Sequence, residues 1–398
     1  MLKMKTMNRI RLKKTVHGQR SEVDLEAGIA RSAFAFRGFN QTNLGRTPEL
    51  LRHSVYGPYV EKYLRLGSEI CTEATEKTTD LVNTVVEGIE PGVDKYHEAV
   101  TLVVAAELAQ MEILQDHFGV NGCKADMMFG YSLGELSILT YSGVLSMKDA
   151  LSVPLKMCDD AVALAHDATL CILFSRSKTP IPRDRVQQIC TEINAEGKGI
   201  IGISAFLAPN SMLLIGQNDT LKRLRERSKE IMDDRISIRF NDGTWPPMHT
   251  PIVWQRNITN RSQCLMQTMT SGFTKPAVPV FSLATGDFSY DGTNTREVIG
   301  KWIDQPQMLW EAVDTVLLRG VKTLVHVGPE PNIVPSTFER LASNIEQQTG
   351  SNRSLRTLSS LVKRGWLKQI LPKRTNLLRA PHVKHIVLED WLLEQIPE

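Results

Sequence analysis

Residues 125–136 read Ala125-Asp126-Met127-Met128-Phe129-Gly130-Tyr131-Ser132-Leu133-Gly134-Glu135-Leu136. An apolar strand over 125–130 runs into Gly130, and a helical pattern starts at about Leu133 and stops at Gly143. Gly130 and Gly134 frame Ser132 as a G-x-S-x-G turn between strand and helix. Such a turn exposes a serine oxygen at the tip of a sheet, because residues lacking a Cβ let strand and helix approach closely. The adjoining helix start offers unpaired N–H groups and a partial positive charge suited to an oxyanion. A plainer reading stands beside this one. Ser132 and Glu135 also have the spacing of a helix-capping box, which needs no chemistry.

A nucleophilic serine needs a base, since a free hydroxyl is hardly ionised at neutral pH. Of the nine histidines, His249 is the best placed. It lies in Trp245-Pro246-Pro247-Met248-His249-Thr250-Pro251, where prolines on both sides stiffen the loop. Taken alone, a histidine in a loop is more often an ordinary surface residue. His326 falls inside an apolar strand and reads as a core residue.

Outward from this centre, Ala33–Phe36 reads as a strand and Glu98–Phe118 as a helix with apolar residues at helical spacing. Ser146 and Asp149 have capping-box spacing for another helix, which Pro154 should kink. The texture changes at about residue 168. Strands over 170–174, 199–206, 212–216 and 236–240 alternate with helices over 183–194 and 221–231. That βαββαβ order is the ferredoxin-like pattern. Strands over 278–283 and 323–327 and helices over 307–317 and 332–344 return to the larger unit. The expected fold is α/β: a large α/β-hydrolase-like domain with a parallel sheet (32–167 and 241–345) and an inserted ferredoxin-like small domain (168–240). Basic extensions, 1–31 and 346–398, flank them.

The formal net charge of +3 points to no particular partner, and nothing here marks a nucleic-acid binder. Its distribution is uneven: residues 1–20 hold seven Lys or Arg and no acid, and Arg353 to Lys384 is also basic and acid-free. The second stretch is a candidate docking surface for an acidic partner, or a solvated wrap with Trp366, Leu367 and Trp391 tucked against the body. Six scattered cysteines without a C-x-x-C pair read as reduced thiols of a cytoplasmic protein. No apolar run reaches the roughly 18 residues of a membrane span, and no metal-ligand spacing occurs.

Several motifs in order carry a resemblance. Phe129 to Ser137, followed by Ser142-Gly143-Val144-Leu145, is similar to the malonyl-CoA:acyl carrier protein transacylases and the acyltransferase domains of polyketide synthases. Met248-His249-Thr250-Pro251 resembles that family's F-H-S-P motif, and Ala33 to Phe39 its first strand and loop. Val278-Pro279-Val280, Pro306 to Trp310 and His326-Val327-Gly328-Pro329 resemble its later landmarks, so the likeness covers about residues 32–345. The resemblance implies an S-acyltransferase of fatty acid or polyketide synthesis working by ping-pong transfer. Ser132 is the nucleophile and His249 its base, and the backbone N–H groups of Leu133 and Phe39 form the oxyanion hole. It implies a CoA thioester as substrate, no bound cofactor or metal, and the phosphopantetheine arm of an acyl carrier protein as acceptor.

The departures concern specificity. The family's arginine for the malonyl carboxylate falls at Met157, beside Lys156. Its pocket glutamine aligns near His97, and the glutamine whose carbonyl orients the base aligns near Trp302 or Ile303. A carbonyl can come from any residue, but methionine cannot pair with a carboxylate and lysine does not replace a bidentate arginine. The acyl unit need not be malonyl. Two other readings remain: an α/β-hydrolase-type esterase or thioesterase, which needs a carboxylate between serine and histidine in the chain and leaves the βαββαβ insert unexplained, and a catalytically silent carrier-binding module.

Overall fold

The computed structural model describes residues 24–175, 180–231, 236–350 and 373–395, without the side chains of 347–350 and 373–375. The basic residues 1–20 lie outside this range, as do Arg353, Arg356, Lys363, Arg364, Trp366, Leu367 and Lys368.

Two sheets organise the chain. In the first, β1 (Ser32–Phe36) is central, with β2 (Met127–Gly130) and then β7 (Val280–Phe281) on one side. On its other side lie β8 (Thr323–Val327) and β9 (Lys384–Val387), and every pairing is parallel. All five residues of β1 and of β8 are buried, as expected for a parallel sheet with both faces covered. The helix Tyr96–Phe118 packs on one face and is buried over most of its circumference. Leu309–Arg319 and Ile333–Gly350 pack on the other, through Val313, Val316, Val334 and Phe338.

The second sheet is antiparallel, in the order β4 (Ile201–Ala208), β5 (Ser211–Gln217), β3 (Ala168–Ser175), β6 (Ile236–Thr244). That order, with helices Arg183–Ala195 and Thr220–Glu226 between strands, is the expected ferredoxin-like one. Successive residues point to opposite faces. Cys171, Leu173, Met212 and Leu214 pack on the unit's own helices, whereas Leu170, Ile172, Leu213 and Ile215 line the cleft towards the large sheet.

Three differences from the sequence reading affect the site. The helix Met147–Lys156 ends at Met157 (φ −105°, ψ 2°), three residues after Pro154, and a new helix, Cys158–Ala165, starts there. β7 keeps only two of the six residues expected to form a strand. Residues 373–395 form no loose extension: β9 completes the sheet, and the helix Leu388–Glu394 follows at once. Glu389 accepts from the N–H groups of Arg46 and Glu330, each at 2.8 Å. Arg379, counted by sequence among the docking cations, is buried and donates to the Leu317 carbonyl at 2.7 Å.

Candidate active site

β2 delivers Ser132 to the C-terminal edge of the large sheet through the turn that its glycines allow. A Cβ on Gly130 would lie 2.1 Å from the Gly134 carbonyl carbon, and one on Gly134 would lie 2.6 Å from the Phe36 and Arg37 carbonyl oxygens. Neither contact is sterically possible for an alanine, so the motif's glycines are there for packing. Ser132 itself has φ 52° and ψ −116°, a strained conformation for a residue with a side chain.

This geometry decides between the two readings of Ser132. Its side chain makes no cap bond. Its Oγ lies 2.7 Å from His249 Nε2 instead. Glu135 turns away and accepts from Leu283 N–H at 3.1 Å and the Tyr290 hydroxyl at 2.7 Å, which fastens the helix to the segment after β7. Burial raises the Glu135 pKa to about 7.

His249 also sits at positive φ, 64°, and is held at both ends. Its backbone N–H donates to the Ile303 carbonyl at 2.8 Å. Its Nδ1 lies 2.6 Å from the Trp302 carbonyl oxygen. A carbonyl can only accept, so the proton is on Nδ1 and Nε2 presents a lone pair to the serine hydroxyl. Both expected orienting positions thus meet His249 through main-chain atoms. The Trp302 indole N–H donates to the Ser132 carbonyl at 2.8 Å and braces the turn from the other side. Burial lowers the His249 pKa to about 4, with the Trp302 carbonyl opposing. The imidazole is therefore neutral at pH 7.

The structure adds a residue that sequence reading missed. Gln307 is fully buried and accepts from Ser132 N–H through Oε1 at 3.0 Å, while its Nε2 lies 3.3 Å from His249 Nδ1. With Nδ1 protonated towards Trp302, that second approach is a polar contact without a shared hydrogen. The Gln307 backbone also donates to the Ser204 carbonyl at 2.8 Å and accepts from Phe206 N–H at 2.9 Å, both on β4. An uncharged polar residue between Pro306 and an apolar helical run was the available signal.

Because Gln307 occupies Ser132 N–H, the donors left for an oxyanion are the next N–H, of Leu133, and that of Phe39. Among the described residues neither has an acceptor. The Phe39 loop is set close by Gly38, where a Cβ would lie 2.6 Å from the Tyr131 carbonyl oxygen and 3.0 Å from Ser132 Cβ. Buried Arg37 ties that loop down. Its guanidinium donates to the carbonyls of Gly38 at 2.8 Å and Thr42 at 3.0 Å, to Asn43 Oδ1 at 3.1 Å, and to the Pro329 carbonyl. Arg37 N–H donates to Glu107 at 2.8 Å, and burial lifts the Glu107 pKa to about 8.

Ser132 borders two spaces. The larger, about 280 Å³, opens between the sheets; Leu170, Ile172, Leu213 and Ile215 form one wall, and Asn40, Asn241 and Arg340 stand among its polar lining. The smaller is a recess behind Ser132 and Leu133, bounded by Phe39, Tyr96, Val153, Met157, Met248 and Trp302.

The three substrate-binding expectations divide. Met157 faces the recess. Lys156, one residue on, is exposed and lines an outer groove with Asn260 and Arg261. His97 lines neither space; its neighbour Tyr96 borders both. One residue is ~100° of helix rotation, so an alignment error of a single place moves a side chain from wall to exterior. Burial lowers the His97 pKa, and the charge of Lys77 adds to that shift.

Fold and site together define an α/β protein of two sheets with a part-buried serine–histidine pair at the strand-to-helix turn of its parallel sheet. Its relatives have acyltransferase names. The chain is 23% identical over 305 residues to the malonyl CoA-acyl carrier protein transacylase of Bacillus subtilis strain 168, covering 76% of this chain and 87% of that one. It is 23% identical over 318 residues, 78% of its length, to polyketide synthase GfsA of Streptomyces halstedii, and spans only 4% of that much longer protein. Among solved structures, FabD of Acinetobacter baumannii shares the fold with a TM-score of 0.62 at 16% identity, over 77% of this chain and 89% of that one. No family model matches.

Proposed function

We propose that this chain is an acyl-CoA:acyl carrier protein S-acyltransferase that carries its acyl group on Ser132. The observation that supports it best is the 2.7 Å contact between Ser132 Oγ and the lone pair of His249 Nε2. In the first half-reaction Ser132 Oγ attacks the thioester carbonyl carbon and its proton passes to Nε2. The oxyanion accepts hydrogen bonds from Leu133 and Phe39 N–H. Collapse breaks the carbon–sulfur bond, and the departing CoA thiolate takes the proton from Nε2. In the second half, the thiol of a carrier protein's phosphopantetheine arm gives its proton to Nε2 while its sulfur attacks the ester. The carbon–oxygen bond breaks, and Ser132 recovers the proton. No metal or bound cofactor enters these steps.

The hydrolase reading is disfavoured by the group behind the base. His249 Nδ1 meets a main-chain carbonyl rather than a carboxylate. The six cysteines are all free thiols, which suits the reducing cytoplasm where we place the protein. Among the described residues no helix is long and apolar enough to cross a membrane.

Intact-mass spectrometry after brief incubation with acyl-CoAs tests the proposal. The expected result is one acyl adduct mapping to Ser132, discharged by a holo carrier protein and absent from Ser132→Ala. Ser132→Ala labelled at the wild-type rate would overturn it. A wild type that binds carrier protein but never acquires an adduct would favour the silent module.

A further inference from the structure

We infer that the acyl group held on Ser132 is short and uncharged, because the space that receives it is a small, mostly apolar recess whose lining holds no Lys or Arg. This rests on the acyl-enzyme reading above. The larger space opens to solvent and has a polar rim, so a CoA or carrier arm must enter there. The thioester carbonyl then lies at Ser132 with its oxygen towards Leu133 and Phe39 N–H. The remaining substituent on that carbon faces the recess.

The recess walls are the rings of Phe39, Tyr96 and Trp302 with the side chains of Val153, Met157 and Met248. Among the described residues no Lys or Arg lines the recess, and Arg340 lines the larger space instead. Lys156 is exposed and lines an outer groove that Met157 also borders, not the recess. The Arg37 guanidinium is taken up by three carbonyls and Asn43. Lys95 pairs with Glu98 at 3.2 Å and Lys77 with Asp159 at 2.6 Å. Burial keeps His249 neutral, and the Trp302 indole N–H is bonded to the Ser132 carbonyl. A carboxylate entering here would lose its water and, among the described residues, meet no cation in the lining. Burying an ion without a partner costs several kcal/mol, and each ~1.4 kcal/mol is tenfold in rate.

Size sets the second limit. The recess holds about 20 Å³, near the room of a single water-sized sphere. A methyl group fits as the structure stands, and an ethyl group with a small adjustment of the walls. Longer chains require Met157 to swing, which its flexible thioether makes feasible but not free.

The test is competition among malonyl-CoA, acetyl-CoA and propionyl-CoA for Ser132 in the full-length protein, with adducts resolved by mass. Acetyl or propionyl should label at least about a hundredfold faster than malonyl in kcat/KM. Met157→Arg should raise malonyl labelling at least tenfold relative to acetyl. Because a buried arginine can impair folding, Met157→Ala is run in parallel. It should shift preference towards propionyl and butyryl without helping malonyl. Wild type labelled by malonyl as fast as by acetyl would overturn the inference and leave the acyl-enzyme intact. Unchanged chain-length preference in Met157→Ala would also overturn it. No adduct from any donor would overturn the acyl-enzyme reading, and this inference with it.

Discussion

Replacing Gln307 by glutamate turns a neutral neighbour of the base into a charged one with almost no change in shape. One oxygen of Gln307→Glu can still accept from Ser132 N–H, as Oε1 does now at 3.0 Å. The other takes the place of Nε2, 3.3 Å from His249 Nδ1. At that separation, with an effective dielectric constant of about 20, Coulomb's law gives roughly 5 kcal/mol favouring imidazolium. Desolvation of the new carboxylate opposes it, and opposite charges this close typically shift a pKa by about 1–3 units. His249 starts at about 4. The acid limb of Ser132 acylation should therefore move up from near pH 4 to about pH 5–7 in Gln307→Glu. The two groups titrate as a pair, so the midpoint belongs to both. The assay is rapid-quench labelling with acetyl-CoA across pH 4–8, read as adduct mass. Gln307→Leu is the control. It leaves Ser132 N–H without an acceptor, which costs about 1–3 kcal/mol and slows labelling, but it adds no charge and should leave the midpoint in place. A Gln307→Glu protein that labels with the wild-type midpoint would refute the reasoning.

Two further predictions concern stability. Gly134→Ala places a methyl 2.6 Å from two carbonyl oxygens of the β1 end, so it should lower the melting temperature sharply and abolish labelling; wild-type melting behaviour would contradict the steric account. The buried histidines predict acid sensitivity. Burial holds His249 at about 4 and His326 well below its ordinary value, so the unfolded chain binds more protons between the folded pKa and about 6.5. Stability from these neutral rings is complete above about pH 6.5 and is lost as pH falls towards 4. His249 alone accounts for about 3 kcal/mol across that window, and urea melts showing no loss from pH 7 to 4.5 would count against it.

Legibility in the sequence followed pattern length. The glycine-framed turn and the alternating strands of the small unit were readable because steric need and two-residue periodicity are local properties. β9 was not readable. Its four residues include exposed Lys384 and His385 and form a strand only because Lys322 and the length of β8 are there to pair with it. The recess was legible in composition at Met157 but not in phase at His97, where the helix turns Tyr96 inward. Gln307 was least legible, because a glutamine carries no mark of a bridge between residues 175 and 58 positions away.

That bridge has a mechanical side. The side chain of Gln307 grips the nucleophile while its own peptide units are stitched to β4 through Ser204 and Phe206. While those two bonds hold, a displacement of β4 is passed to the amide beside Ser132. The alignment of the serine is thus a property of how the two sheets sit against each other, and not of the strand-to-helix turn alone.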